Sequence, residues 1–237
     1  MTFEMLKFEE IKKLDFRNIE VLDGSFFARS NLLLICYELL GKILLTNTKE
    51  GLSGGGVISE VEGYFGSIDL ASHAYKNKRT KRNEALYHSG GRLYVHTCRG
   101  HVMLNIVANT ENIPQGILIR GIVPLVGIDL IEKRRGFVKE AELTNGPGKL
   151  TKALGITMQY NMFKVCKDKS DFLAKLPAII MIDAGTKIDQ NNIKKTPRIG
   201  INYAKAWAKE PLRFLVTYSN TLTQQGLNNF EQLKLTI

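Results

Sequence analysis

The sequence predicts one α+β domain, a largely antiparallel mixed sheet with packed helices. Three observations support this prediction. Predicted strands outnumber helices, several consecutive strands are joined by short turns, and no linker or internal repeat divides the chain. The 237 residues, of which 44% are hydrophobic and 24% charged, suffice for a core and exclude a disordered, a collagen-like and a disulfide-rich chain.

The first part of the chain predicts one helix followed by a β-hairpin. Leu33, Cys36 and Leu40 recur at helical spacing, and Gly41 offers a stop. The glycine-rich segment Gly51–Gly56 lacks the Gly-Lys-Ser/Thr ending of a phosphate loop, so we expect a hairpin turn there. The expected elements are a helix from Ser30, strands at Lys42–Thr46 and Val57–Phe65, and a loop over Asp69–Asn83 with a short helix near Ala71.

The rest of the chain predicts further strands and two short helices. Pro147 suits the first position of a helix, and Gly155 suits its end. The expected helices are Ile128–Arg135 and one from Pro147, and the expected strands are Arg92–Cys98, His101–Ala108, Gly116–Ile122, Ile179–Ile182, Arg198–Asn202 and Leu212–Thr217.

The formal net charge of +10 indicates an anionic partner, and it is concentrated in one segment. The first 24 residues hold six acids and four bases, whereas the stretch from Lys76 to Asn105 holds seven bases and one acid. Bases concentrated in a loop suit contacts to a phosphate backbone, although a solvated loop that only aids solubility is the simpler interpretation. The candidate phosphate-contacting residues are Lys78, Arg79, Lys81, Arg82 and Arg99.

Cysteine usage and the N-terminus predict an intracellular protein. Cys36, Cys98 and Cys166 are few, odd in number and without a CxxC pair, which argues against a zinc finger and a secreted disulfide framework and predicts buried reduced thiols. Acidic residues interrupt any signal pattern, and no apolar run is long enough for a membrane. We expect a protein that is not secreted, cytoplasmic and nucleoid-associated in a bacterium or nuclear in a eukaryote.

The strongest candidates for chemistry are Glu60, Glu62 and Tyr64, which share one face of a predicted strand. Two carboxylates on one face repel if they are close and buried, so one is held neutral or is paired with a cation. An aromatic ring beside a carboxylate can stack a planar group while the carboxylate activates a water. A solvated sheet face is the alternative.

Three further polar residues stand out from their surroundings. His73 could form a metal site with Asp69 and the strand carboxylates, although no paired-histidine spacing supports it. Arg120 ends an apolar strand, where a structural ion pair with a carboxylate is the simpler interpretation. Asn105 interrupts another apolar strand and needs hydrogen-bond partners if it is buried, but it could equally face the surface.

Taken in order, nine segments between about Phe27 and Val216 resemble the alkyladenine (3-methyladenine) DNA glycosylase family. The similar region covers about four fifths of the chain, and the order and intervals of the segments make the resemblance specific. The segments are ELLGKILL from Glu38, ISEVEGYFG from Ile58, ASH from Ala71, TKRN from Thr80, GGRLYVH from Gly90, LNI from Leu104, GILIRGIVPL from Gly116, NGPGKLTKALGI from Asn145 and WAKEPLRF from Trp207.

The resemblance implies a role for each candidate residue. Glu62 matches the general base that activates the water attacking the sugar, and Arg120 matches the arginine that positions this water. Tyr64 matches a tyrosine that stacks on the flipped base, and His73 matches a histidine that contacts it. Asn105 matches an asparagine that excludes bases carrying the guanine amino group.

The sequence departs from the family pattern at two positions. His96 stands where the family has a second stacking tyrosine. Arg99 stands where the family has a tyrosine that wedges into the duplex, but the stretch to Asn105 is one residue shorter, so Cys98 could occupy the wedge position instead. The resemblance places Arg82 in a loop that faces DNA.

The resemblance implies a DNA repair enzyme that acts on alkylated or deaminated purines in double-stranded DNA. We expect a monomeric, monofunctional enzyme without metal, cofactor or Schiff-base chemistry. Residues 25–220 are expected to form the glycosylase domain, while residues 1–24 and 221–237 are unassigned. The alternatives are a catalytically weak or inactive DNA-binding protein on the same scaffold, and a metal-dependent nuclease or phosphatase.

Overall fold

The computed structural model describes residues 19–48, 51–186 and 188–216, and these residues form one α+β domain around a curled sheet. All paired strands in these ranges are antiparallel, in the order β1-β7-β2-β3-β6-β5-β4, with β9 paired to β3 and β8 paired to β9. The predicted fold class is confirmed. The strands are β1 Glu20–Val21, β2 Ile43–Thr48, β3 Gly51–Tyr64, β4 Leu93–Cys98, β5 His101–Ala108, β6 Gln115–Val126, β7 Ala178–Asp183, β8 Ile193–Thr196 and β9 Arg213–Val216.

The helices are short and pack on the faces of the sheet. The helix Leu32–Leu39 has an N-cap, because the side chain of Asn31 accepts a hydrogen bond from the N–H of Leu34 at 3.0 Å. Its buried residues include Ile35 and Cys36, whereas Leu33, expected on the apolar face, is exposed. The helices are α1 Gly24–Phe27, α2 Leu32–Leu39, α3 Ile128–Arg135, α4 Pro147–Ala153 and α5 Lys169–Ala174.

The sheet is covered on both sides. Leu44 and Leu45 are neighbours on β2 and point to opposite faces. Leu44 belongs to the apolar cluster that includes α2 and α4, and Leu45 belongs to a second cluster that includes Phe172 of α5. None of the helices among the described residues is long and apolar enough to cross a bilayer.

β3 is the longest strand and organises the sheet. Along one edge it pairs with β6, and along the other it pairs first with β2 and then with β9. The register against β6 shifts near Gly55 and on both sides of Glu60, where the unpaired extra residues are Leu125 and Arg120 on β6 and Ser59 on β3. The second half of β3 lies between β6 and β9.

The glycine-rich segment is part of β3 and not the expected turn. A side chain on Gly55 would place its Cβ 2.3 Å from the carbonyl oxygen of Leu44, and one on Gly56 would place it 2.0 Å from that of Val123. Glycine is needed here because the neighbouring strands approach too closely for a Cβ. The hairpin itself was correctly predicted, since β2 and β3 are antiparallel neighbours.

Residues 198–202 do not form the expected strand. β8 ends before Pro197, and a 3-10 helix begins at Asn202. Pro197 has no N–H for a ladder, and the side chain of Arg198 turns into the protein to form an ion pair. Near Ala71 the structure has 3-10 turns at Gly66–Ile68 and Tyr75–Asn77. Thr217 and most of the two unassigned terminal segments lie outside the described residues.

Candidate active site

A cavity of about 470 Å³ opens over β3, β4, β5 and β6, within the size range of sites for small molecules. The strand side chains that line it are mainly aromatic, amide and imidazole groups. The residues from these strands include Tyr64, Tyr94, His96, Asn105 and Arg120, and they are joined by His73, the hairpin residues Cys98 and Arg99, and the segment from Ile199 to Ile201 with Tyr203.

Glu62 lies directly behind this lining and is completely buried. Its Oε1 accepts a hydrogen bond from the Ile199 N–H at 2.8 Å and lies 3.3 Å from Nη1 of Arg120, while its Oε2 accepts one from the Tyr64 hydroxyl at 2.9 Å. Burial raises the pKa of Glu62, against the charge of Arg120, which lowers it. The result is a hydrogen-bonded carboxylate that is a stronger base than an exposed one.

Arg120 joins the two carboxylates of β3. Its Nε lies 2.7 Å from Oε1 of Glu60, the same oxygen that Nε of Arg213 approaches to 2.6 Å. Glu60 is thus paired with two cations, and Glu62 shares the first of them. The structure brings Glu60, Glu62 and Tyr64 together as the strand alternation indicates, and a solvated face is excluded for Glu62.

A buried ion pair between Arg198 and Asp69 lies next to Tyr64. Arg198 and Asp69 have no exposed side-chain surface, and their two hydrogen bonds measure 2.5 and 2.9 Å. Arg198 also donates to the Gly63 carbonyl at 3.0 Å, and its guanidinium carbon lies 4.5 Å from the centre of the Tyr64 ring. Arg198 therefore fixes both the ring of Tyr64 and the start of the segment whose Ile199 N–H contacts Glu62.

Arg198 and Ile199, which hold the candidate site, and Tyr94 of the cavity wall were not indicated by the sequence. The segment has β-forming residues, which suggested a strand, and the partner of Arg198 precedes it by 129 positions. Pro197 was the available signal, because a proline at the end of a strand marks a change of chain direction. Arg198 follows it directly.

One wall of the cavity is a cluster of three rings. The rings of Tyr94 and His96 stack with centroids 4.7 Å apart, and His73 meets His96 edge-on at 4.7 Å. Nδ1 of His73 lies 2.7 Å from the Tyr94 hydroxyl. Burial lowers the pKa of His96 to about 3 and also lowers that of His73. Both imidazoles are therefore neutral at neutral pH.

Asn105 faces this cluster and not the outer surface. It is 6% exposed, and its Nδ2 lies 3.1 Å from the carbonyl oxygen of Tyr94 and 3.3 Å from Nδ1 of His96. The amide is thus held by its neighbours on β4, as a buried amide requires.

The basic loop lies next to the ring cluster. Nη2 of Arg82 donates to the carbonyl of Thr97 on β4 at 2.8 Å, which joins the loop to the β4–β5 hairpin. Arg79 pairs with Glu84 at 2.5 Å, so part of its charge is neutralised. Lys78 and Lys81 are exposed.

The β4–β5 hairpin carries Arg99 at its tip. Cys98 pairs with His101 across a two-residue turn in which Arg99 has φ 48° and Gly100 has φ 79°, as in a type I′ turn. Arg99 is thus the turn residue that carries a side chain, Cys98 ends the strand, and both line the cavity. Cys98 is exposed, so the expectation of a buried thiol was wrong for this residue.

The metal-site hypothesis gains no support from the geometry. Within residues 19–48, 51–186 and 188–216, no three histidine, cysteine or acidic side chains are placed to hold an ion. Glu60 is paired with two arginines and Asp69 with a third, and both Asp69 oxygens also accept backbone N–H bonds from Phe65 and Ala71. The carboxylates of Glu60 and Asp69 are therefore already paired with arginines.

Comparison with known proteins places these features in one family. Residues 25–220 match the methylpurine-DNA glycosylase family. A protein of Chlamydia felis is 37% identical over 199 residues, which cover 83% of this chain and 96% of that protein. A protein of Bacillus subtilis is 39% identical over 191 residues, which cover 81% of this chain and 91% of that protein. Both carry the provisional name 3-methyladenine DNA glycosylase.

The buried Arg198–Asp69 pair predicts a large effect on stability. Replacing Arg198 with Met leaves a buried carboxylate without its cation, so we expect the free energy of unfolding in urea to fall by about 3–5 kcal/mol. Adding Asp69→Asn should recover part of this loss, because the unpaired charge is gone. Arg79→Met, at the exposed pair with Glu84, is the control and should change little. An Arg198→Met variant as stable as this control would contradict the prediction.

Proposed function

The chain belongs to the methylpurine-DNA glycosylase family, and from this premise we propose that it hydrolyses the N-glycosidic bond of alkylated or deaminated purines in double-stranded DNA. The supporting observation is a buried carboxylate, Glu62, held by Arg120 directly behind a cavity with aromatic walls. A base inside a duplex cannot reach such a cavity, so the damaged nucleotide is flipped out of the stack.

The walls of the cavity suit a damaged purine. The rings of Tyr64, Tyr94 and His96 offer faces for stacking, and an electron-rich tyrosine face attracts the positive charge of a purine alkylated on a ring nitrogen. The lowered pKa values keep His73 and His96 uncharged, so neither repels such a cation. A neutral deaminated purine is accommodated by the same stacking.

Glu62 is proposed to take a proton from the attacking water. Each carboxylate oxygen accepts about two hydrogen bonds, and Oε2, with one bond from Tyr64, retains a site for that water. The water oxygen bonds to the sugar carbon, the base leaves with the electron pair of the C–N bond, and Glu62 holds the proton. Arg120 keeps the carboxylate in position.

The product on this route is an abasic site, without a covalent enzyme intermediate. Among the described residues, no lysine lines the cavity, which favours attack by water over attack by an amine. The DNA backbone is proposed to contact Lys78, Lys81 and Arg82 in the basic loop, with Arg99 at the hairpin tip stacking on bases or binding phosphate.

Glu62→Gln tests the proposed base and separates an enzyme from a DNA-binding protein without catalysis. The amide keeps the size of the side chain but cannot take up the proton, so base release from a duplex containing 3-methyladenine should fall by at least about 100-fold. Binding of the same duplex should persist in a gel-shift assay. Glu60→Gln is the matched control, because this carboxylate contacts Arg120 but not Tyr64. Release at the wild-type rate by the Glu62→Gln variant would refute the assignment.

The pH dependence of base release follows from the raised pKa of Glu62. Only the ionised carboxylate accepts a proton, so single-turnover rates should decline as the pH falls through this pKa, at a pH above 4.5. Arg120 lowers the pKa, and therefore Arg120→Met should move the decline to a higher pH. The control is Arg213→Met, which leaves the contact between Arg120 and Glu62 in place. If the rate of the Arg120→Met variant declines at the same pH as that of the wild type, this account is contradicted.

The salt dependence of binding tests the basic loop. Each lysine that neutralises a phosphate contributes about 0.9 to the slope of log affinity against log salt concentration, so Lys78→Ala with Lys81→Ala should reduce the slope by about 2. The control is Lys194→Ala, an exposed lysine on β8 that does not line the cavity. Equal slopes for the double variant and the wild type would exclude both lysines as phosphate contacts.

A further inference from the structure

The orientation of the Asn105 amide is determined by its neighbours. The carbonyl oxygen of Tyr94 can only accept a hydrogen bond, so the group 3.1 Å from it must be the amide nitrogen, Nδ2. The second hydrogen of Nδ2 points to Nδ1 of His96 at 3.3 Å. Both hydrogens are therefore used within the protein, and Oδ1 accepts no hydrogen bond from the part of the chain that the structure describes.

The same contact determines which nitrogen of His96 carries the proton. Nδ1 accepts from Asn105 and so is unprotonated, and the ring is neutral because burial lowers its pKa to about 3. The single ring proton is consequently on Nε2. Among the described residues, no protein group receives a hydrogen bond from this N–H. Asn105 and His96 both line the cavity, where one offers an acceptor and the other a donor.

We propose that Oδ1 of Asn105 and Nε2–H of His96 act together to select purines that present an N–H group beside an acceptor atom. The proposal rests on the proposed function and concerns substrate choice within it. Hypoxanthine has N1–H next to O6, and 3-methyladenine has its exocyclic amino group next to a ring nitrogen. In 1,N6-ethenoadenine the etheno bridge joins N1 to N6, and the base has no N–H to offer.

The discrimination follows from the cost of an unpaired buried group. A site built around a hydrogen bond rejects an analogue that lacks the bonding group, because the protein atom loses its water without gaining a partner. Ethenoadenine leaves Oδ1 of Asn105 without a hydrogen-bond partner, whereas hypoxanthine supplies one through N1–H. The orientation also bears on the role that the family resemblance implies for Asn105. An acceptor facing the base attracts an amino group, so exclusion of guanine would have to be steric.

His96 is the residue on which this arrangement depends. At the family's tyrosine position a phenol has no ring nitrogen to accept the second hydrogen of Asn105, and it has no imidazole N–H to direct at the base. His96 is thus a specificity-determining residue, through its own N–H and through its hold on Asn105.

The test compares two neutral lesions, hypoxanthine and ethenoadenine, in duplexes of the same sequence with the full chain. Base release is measured in single turnovers. The wild type should favour hypoxanthine, and Asn105→Leu, which has a similar size without polar atoms, should reduce this preference by about tenfold. His96→Phe keeps a ring but removes both the donor and the partner of the Asn105 amide, so it should slow the release of both lesions and also reduce the preference.

A duplex with a tetrahydrofuran abasic analogue provides the control. It places no base in the cavity, so Asn105→Leu and His96→Phe should bind it as the wild type does. The proposal is overturned if the Asn105→Leu variant binds this duplex normally and still favours hypoxanthine over ethenoadenine as strongly as the wild type does. If Asn105→Leu disturbs binding, Asn105→Ala gives the same comparison. Failure of the wild type to release 3-methyladenine would instead overturn the proposed function.

Discussion

The structure depends on the burial of the Glu62 carboxylate. A buried charge without partners would be neutralised or would destabilise the fold, so the surroundings must supply a cation and hydrogen bonds. These come from two distant parts of the chain, the guanidinium of β6 and the N–H of the 198–202 segment, and from a hydroxyl of β3 itself. Three carboxylates and three arginines meet in this region: Glu60, Glu62 and Asp69 with Arg120, Arg198 and Arg213.

The two sides of the cavity differ in electrostatic character. Behind Tyr64 the charges are dense and paired, whereas the opposite wall of Tyr94, His96 and His73 carries no charge at neutral pH. In the proposed function, a cationic or neutral purine between them meets aromatic faces first, while the Glu62 carboxylate lies one layer deeper. Under that proposal the purine is bound by stacking and the carboxylate is left for the water.

Local patterns in the sequence predicted much of the site but not its supports. The alternation along β3 indicated that Glu60, Glu62 and Tyr64 share a face, and Pro147 marked the start of a helix. Gly55 and Gly56 were taken as a turn, since close approach of strands is a property of the assembled sheet. Arg198 was missed because its meaning depends on Asp69, far away in the chain. The roles of the candidate residues came from family resemblance, since spacing alone left simpler interpretations open.

The two-residue turn at the tip of the β4–β5 hairpin has a consequence for the proposed contact with DNA. Both turn residues have positive φ, and the strands on either side are fully paired up to Cys98 and His101. The backbone at Arg99 therefore has little freedom left to lose on contact with a duplex. In the proposed contact with DNA, a tip that is ordered beforehand can meet each base step without refolding.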